Sequence, residues 1–71
     1  MTEAERVCYK IKSMRKQSGL TQEKVANDLF ISQSYLRQIE HGKANPSVNM
    51  ADKILSYLEA ALAGSNEEEE F

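Results

Sequence analysis

The sequence predicts an all-α fold, a compact four-helix bundle forming one domain. Apolar residues recur three and four positions apart in four separate segments, which is the spacing of a single helix face. Hydroxyl side chains precede these segments and glycines follow two of them, as expected at helix ends. A chain of 71 residues supports only one small core. We therefore expect one domain over residues 1–64, followed by a disordered acidic tail over residues 65–71.

The first predicted helix covers residues 2–18. Thr2 and Glu5 have the spacing of a capping box, and Gly19 provides a left-handed cap at the other end. Its inward stripe consists of apolar residues four and three positions apart, Val7, Ile11 and Met14. The helix is basic, and we interpret most of its lysines as a solvated face. Cys8 and Tyr9 are interpreted as packing or surface residues rather than reactive groups.

Two short helices follow, over residues 22–29 and 33–41, with Thr21 and Ser32 in the N-cap positions. Their predicted inward residues are Val25, Ala26, Leu29, Ser32, Leu36 and Ile39. The three residues from Phe30 to Ser32 are too few for an extended crossover, so the helices must meet at a steep angle. This is the geometry of a helix-turn-helix, whose second helix can lie in the major groove of DNA.

The outward face of the second short helix is polar. Glutamine can bond N6 and N7 of adenine together, and arginine can bond O6 and N7 of guanine. We predict that the outward and flanking residues of this helix contact bases, namely Gln33, Ser34, Arg37 and Gln38. The alternative interpretation is a polar face that is merely solvated.

The same stretch resembles the Cro/cI (XRE) family of lambda-repressor-like DNA-binding domains. The residues that carry the resemblance are Gly19-Leu20-Thr21-Gln22, Val25-Ala26, Leu29, Ile31-Ser32-Gln33-Ser34, Ile39-Glu40, Gly42-Lys43 and Asn45-Pro46-Ser47. The likeness covers roughly residues 7–58 and implies a lambda-repressor-like bundle, with five helices as the alternative to four. It also implies base contacts for Gln33, Ser34 and Gln38.

Phosphate contacts are implied by the resemblance as well. The predicted residues are Gln22, Tyr35, His41, Lys43 and Asn45. In the family, the residue matching Gln22 also braces the start of the recognition helix, so Gln33 is its expected partner; an ordinary polar residue is the alternative. The loop amides after Gly42 match a phosphate-clamping segment. For His41 a phosphate contact and a plain surface histidine remain equally open.

Glu40 lies at the edge of the buried side, in the last turn of its helix. An unpaired carboxylate is costly there, and the helix dipole disfavours a negative charge at that end. Both considerations require a cationic partner. The family commonly pairs this glutamate with an arginine of the first helix, which is Arg15 here. We predict a structural Arg15–Glu40 salt bridge.

Phe30 departs from the pattern of the family, which usually has glycine at this turn because the backbone adopts a positive φ. A phenylalanine should cost about 1 kcal/mol in that conformation unless the turn changes. We expect its side chain to offset this cost by packing against the domain or against a partner chain.

Pro46 and Ser47 begin a last helix that we expect to end near Ala63. It carries two apolar stripes, one of Val48, Ala51, Leu55, Leu58 and Leu62, the other of Met50, Ile54, Tyr57 and Ala61. One small core needs about one stripe, so we predict a homodimer contact. Its residues are Met50, Ile54, Tyr57, Leu58, Ala61 and Leu62. A wider core is the alternative.

Charge and composition limit the other functions. The net charge is −2, but four acids lie in Glu67–Glu70, leaving nine basic and seven acidic groups before them, a local balance of +2. Cys8 and His41 are the only cysteine and histidine, which excludes an intramolecular disulfide, a two-cysteine metal site and a hydrolase triad. No apolar run approaches the roughly 20 residues of a membrane span. We expect a cytoplasmic protein that is not an enzyme, with no cofactor, no metal, no membrane partner and no small-molecule ligand.

These observations predict a sequence-specific regulator of transcription that binds double-stranded DNA. The expected form is a repressor acting as a homodimer on a palindromic operator. The alternative is a protein-interaction module, such as an antirepressor, that keeps the fold without binding DNA. The acidic tail either aids solubility or competes with DNA for the basic face.

Overall fold

The computed structural model describes residues 2–69, with side chains for residues 2–64, and is built from four α-helices over that range. The helices are α1 (Glu3–Ser18), α2 (Gln22–Leu29), α3 (Gln33–Glu40) and α4 (Val48–Glu69). The described residues contain neither a strand nor a fifth helix. α1 packs mainly on α4, α2 packs on α3, and α3 also contacts α1. The predicted all-α four-helix fold is confirmed.

Each helix begins at the hydroxyl side chain that the sequence indicates. In α1 the amide of Glu5 donates to Thr2 Oγ1 at 3.1 Å, and the amide of Thr2 donates to Glu5 Oε1 at 3.1 Å, which completes a capping box. Thr21, Ser32 and Ser47 each accept from the amide three residues later, at 3.0–3.1 Å. These bonds satisfy donors that would otherwise be exposed at each helix start.

The core combines buried apolar residues from all four helices. They are Cys8, Ile11, Val25, Ala26, Leu29, Leu36, Ile39, Ile54 and Leu58. Cys8 was not assigned to the inward stripe of α1, yet only 3% of its surface is exposed. Its thiol donates to the carbonyl oxygen of Ala44 at 3.9 Å, and burial raises the pKa of this thiol above its usual range. Cys8 therefore links α1 to the loop after α3.

The inward face of α4 differs from the predicted one. Ile54 and Leu58 are completely buried, whereas 78% of the surface of Val48 is exposed. The two predicted stripes are adjacent, and a helix on a small core buries a face at least ~100° wide. The core therefore takes one residue from each stripe, Ile54 and Leu58, at the border where the two stripes meet. Assigning Ile54 and Leu58 to a dimer contact was wrong, because neither side chain is accessible to a partner.

The other residues of the predicted contact, Met50, Tyr57, Ala61 and Leu62, are half-buried. Their role in a dimer stays a prediction. The helix also ends at Glu69 rather than near Ala63. Glutamate is a good helix former, and a single Gly64 costs only about 1 kcal/mol relative to alanine, so neither stops the helix. The backbone of residues 65–69 thus belongs to α4 rather than to a disordered tail, and the disorder predicted for residues 70–71 lies outside the described residues.

Phe30, in the turn between α2 and α3, adopts the left-handed backbone conformation that usually favours glycine, with φ 59° and ψ 40°. The amide of Phe30 donates to Asn27 O at 3.3 Å, and that of Ile31 donates to Ala26 O at 3.0 Å. This pair of bonds forms a Schellman motif, and Ile31 packs against the core beside it. Phe30 itself is 90% exposed, so the expected packing against the domain is wrong. Contact with a partner chain stays a prediction.

Candidate nucleic-acid interface

α3 separates a buried face from an exposed polar face. Leu36 and Ile39 are fully buried against the core, and Ala26 of α2 is 1% exposed where the two helices pack. The exposed side of α3 carries the four residues predicted to contact bases, Gln33, Ser34, Arg37 and Gln38. The buried anchors fix the orientation of these side chains relative to the domain. Their contacts with bases stay predictions.

A buried polar cluster fastens the inner side of α3 to α1. Arg15 Nε donates to Glu40 Oε2 at 2.6 Å, and Arg15 Nη2 donates to Glu40 Oε1 at 2.9 Å. Arg15 Nη1 also donates to Leu20 O at 2.9 Å. The side chain of Glu40 is 1% exposed and that of Arg15 is 13% exposed. The ion pair expected from the sequence is thus present, with the two-pronged geometry that arginine offers a carboxylate.

Gln22 completes this buried cluster, which we define as Arg15, Gln22 and Glu40. Its Nε2 donates to Glu40 Oε1 at 3.1 Å, so the expected brace between Gln22 and Gln33 is wrong. A buried carboxylate is a stronger acceptor than a neutral amide, which favours the observed partner. The amide nitrogen of glutamine carries two hydrogens, and one bond to Glu40 leaves the second for another acceptor. The phosphate contact of Gln22 stays a prediction.

The loop after α3 uses its amides to close the helix. Gly42, with φ 75°, donates to Ile39 O at 3.0 Å, and Lys43 and Ala44 both donate to Gln38 O, at 2.8 and 3.2 Å. The expectation that the amides of Lys43 and Ala44 clamp a phosphate is therefore wrong, because both amides already donate to Gln38 O. The side chains of Lys43 and Asn45 are exposed, and their phosphate contacts stay predictions.

Tyr35 and His41 occupy different environments at the two ends of α3. Tyr35 is half-buried and packs against the core, so part of its ring is structural. His41 is exposed at the end of α3 and faces a groove that lies between this end and α1. The phosphate contacts of both residues stay predictions.

A surface cluster of Lys24, Asp28 and Tyr57 joins α2 to α4. The hydroxyl of Tyr57 donates to Asp28 Oδ2, and Lys24 Nζ donates to Asp28 Oδ1 at 3.3 Å. The bond from Tyr57, aided by the one from Lys24, holds the pKa of Asp28 below its usual range. Burial and the nearby carboxylate raise the pKa of Tyr57 to about 12. The spacing of Lys24 and Asp28 could have been noticed in the sequence, but the position of Tyr57 beside them could not.

The groove beside His41 contains polar residues that the sequence did not single out. It has a volume of about 530 Å³, and Tyr9, Lys12 and Lys16 of α1 line it. Of its lining residues, only His41 had been predicted to contact DNA. The positions of Tyr9, Lys12 and Lys16 along α1 are three and four residues apart, which is the one signal in the sequence that they share a face.

Over residues 2–64 no group of three or more histidine, cysteine, aspartate or glutamate side chains is arranged to hold a metal ion. None of the four helices, within their described lengths, is long and apolar enough to cross a membrane.

Comparison with known proteins gives one match. The model of a helix-turn-helix family matches residues 11–63, which extend from the middle of α1 into α4 and include the whole of α2 and α3. The searches of curated proteins and of solved structures returned no significant match.

Proposed function

This chain belongs to the Cro/cI-type (XRE) helix-turn-helix family of DNA-binding regulators, and we propose that it represses transcription as a homodimer bound to a specific palindromic operator. In this proposal α3 lies in the major groove of each half-site. Gln33, Ser34, Arg37 and Gln38 read base edges, while Gln22, Tyr35, His41, Lys43 and Asn45 contact phosphates. The chain acts by binding and carries out no chemical step.

The observation that carries this proposal is the contrast between the two sides of α3. The helix is anchored by Leu36 and Ile39, which are fully buried, and by Glu40 in the buried cluster. Its opposite side exposes only polar side chains with donors and acceptors. A rigid helix that presents such a face on a helix-turn-helix is suited to reading base edges directly.

A homodimer follows from the way in which such domains read DNA. Two recognition helices must be separated by about 34 Å, or one turn of the duplex, to occupy successive major grooves on one side. The half-buried apolar side chains of α4, which include Met50, Tyr57 and Leu62, support a contact along this helix. Sedimentation equilibrium at several protein concentrations tests the stoichiometry, and a strictly monomeric chain on and off the operator would contradict it.

The experiment on base recognition begins with selection of bound duplexes from a random pool. Fluorescence anisotropy then compares the selected duplex with a scrambled one for the wild-type chain, Gln33→Ala and Gln38→Ala. Each good base contact is worth about 1–3 kcal/mol of discrimination, so each variant should lose roughly 5- to 150-fold of its preference for the selected sequence. Asn49→Ala, an exposed amide on α4, is the matched control and should keep the full preference.

The proposal fails if the wild-type chain prefers no sequence, or if both α3 variants discriminate as well as Asn49→Ala does. Binding of every duplex with equal, salt-sensitive affinity would leave a nonspecific DNA-binding protein.

One observation favours a second candidate, the protein-interaction module. Phe30 holds a left-handed conformation and leaves its ring 90% exposed, an arrangement that brings no packing within the domain. A partner protein that covers this ring would account for it. Absence of binding to any duplex, even at low salt, would favour this candidate. In that event Phe30→Ala should weaken binding to the partner, whereas Gln33→Ala should not.

A further inference from the structure

The groove between α1 and the C-terminal end of α3, called the α1 groove below, has a volume of about 530 Å³. Its wall on α1 carries donor side chains spaced three and four residues apart, Tyr9, Lys12, Ser13 and Lys16. Residues at this spacing lie on one face of a helix and cover about 10 Å of its length. His41 and Gly42 form the opposite wall.

Two carboxylates, those of Glu40 and Glu5, also line the α1 groove, and both accept hydrogen bonds from within the domain. Glu40 accepts two bonds from Arg15 and one from Gln22, so its negative charge is balanced within the buried cluster. Glu5 accepts the amide of Thr2 at 3.1 Å in the capping box of α1. Glu5 keeps its negative charge, but Lys12 and Lys16 outweigh it, so the groove offers a net positive charge to a ligand.

The end of α3 that borders the groove would normally repel an anion, because the last carbonyl groups of a helix carry partial negative charge. Here amides of the following loop bond to two of these carbonyl groups. Gln38 O accepts from both Lys43 and Ala44, and Ile39 O accepts from Gly42. The repulsion at this end is thereby reduced.

The groove also borders the reading face of α3. His41 lies three and four residues after Gln38 and Arg37, so it belongs to their side of α3 and also lines the groove. When α3 occupies the major groove, the sugar-phosphate strand at the edge of that groove must pass beside the ends of the helix. A strand that passes the C-terminal end of α3 on the side of His41 would meet the α1 groove.

We propose that the α1 groove seats a phosphate group of the DNA backbone, which makes α1 part of the DNA interface. Lys12 and Lys16 supply the charge, and the hydroxyls of Tyr9 and Ser13 supply neutral donors. This proposal rests on the proposed function and extends it to residues outside the helix-turn-helix. A contact of this kind sets the register of the protein on the duplex without reading its sequence.

The test is the salt dependence of binding by the double variant Lys12→Gln/Lys16→Gln. Each phosphate contact contributes about 0.9 to the steepness of log K against log salt concentration, so the double variant, which loses the one phosphate seated in the groove, should show a slope about 0.9 shallower. Affinity at low salt should fall by the same factor on the selected duplex and on a scrambled one. The matched control is Lys10→Gln/Lys53→Gln, which removes the same charge from exposed positions outside the groove.

The inference is overturned if the groove variant and the control variant have equal slopes while the wild-type chain binds its selected duplex. That result leaves the proposed function intact, since sequence preference is measured separately with Gln33→Ala. A wild-type chain that binds no duplex would overturn both. Thermal unfolding followed by circular dichroism shows whether each variant keeps the wild-type fold before its binding is compared.

Discussion

The buried cluster and the surface cluster use similar side chains in different surroundings. The buried cluster places the carboxylate of Glu40, 1% exposed, against an arginine that is 13% exposed. The surface cluster places Asp28 against Lys24, with 34% and 60% of their side chains exposed. Both clusters join different helices, α1 to α2 and α3 in one case and α2 to α4 in the other.

The geometry of an ion pair does not by itself determine how much the pair contributes to stability. Water screens the surface pair, and such pairs typically contribute less than about 1 kcal/mol. In the buried pair, the loss of one partner leaves a charge that cannot regain its hydration, at a cost of roughly 3–5 kcal/mol. The following substitutions test whether the buried cluster contributes more to stability than the surface cluster does.

The largest effect is expected from Arg15→Met. This change leaves the carboxylate of Glu40 buried with Gln22 as its remaining partner, so the free energy of unfolding should fall by about 3–5 kcal/mol. Urea denaturation followed by circular dichroism measures the loss. Lys16→Met, on the next and exposed position of α1, is the control and should stay within about 0.5 kcal/mol of the wild-type chain. A loss below 1 kcal/mol for Arg15→Met would remove the contrast between the clusters.

The second largest expected effect is a recovery of the free energy of unfolding. The double variant Arg15→Met/Glu40→Leu removes both charges and fills the site with apolar atoms, so most of the loss caused by Arg15→Met should be regained. We expect a free energy of unfolding within about 1–2 kcal/mol of the wild-type value. A double variant no more stable than Arg15→Met would mean that the pair contributes directly, beyond avoiding an unpaired charge. The same urea titration decides between these outcomes.

A smaller effect is expected in the surface cluster. Tyr57→Phe removes the hydroxyl that donates to Asp28 and keeps the ring, so the loss should be about 0.5–1 kcal/mol. Tyr9→Phe is the matched control, since Tyr9 is 65% exposed, and should leave stability unchanged. If Tyr57→Phe cost as much as Arg15→Met, the exposure of the two clusters would not explain their energetics.

The smallest expected effect is a change, at alkaline pH, in the stability that the hydroxyl of Tyr57 contributes. The pKa of Tyr57 is raised from 10.0 to about 12 in the folded chain, so its neutral form is favoured by folding. That stabilisation is fully present below pH 10 and is lost as the pH rises towards 12. The stability difference between the wild-type chain and Tyr57→Phe should therefore narrow between pH 10 and pH 12. A difference that stays constant over this range would show that the hydroxyl does not titrate as described.

The sequence was informative where local chemistry decides the structure. Hydroxyl caps such as Thr2 and Ser32 act on amides three residues away, so their effect can be read without knowing the fold. The partner of Glu40 could also be predicted from the sequence. A carboxylate at the edge of a buried face requires a cation, and the family resemblance indicated Arg15.

The sequence was uninformative where the rotation of one helix on another decides the outcome. α4 carries two adjacent apolar stripes, and only its packing on α1 places Ile54 inside and Val48 outside. The same rotation brings Tyr57 to Asp28. Gln22 illustrates a related limit, since only the packing of α2 on α3 brings its amide to the buried carboxylate of Glu40.

The packing of α1 on α4 has a consequence for the order in which the domain is made. Ile11 and Cys8 leave the ribosome long before Ile54 and Leu58, which cover them in the finished core. α2 and α3 are neighbours in the chain and can pair early, because short loops close at low entropic cost. We expect a nascent chain that ends at Ser47 to contain some helix but to melt without a cooperative transition. The helix that is synthesised last would then commit the whole domain to its fold, and the time needed to make it is a window in which chaperones can reach the exposed core.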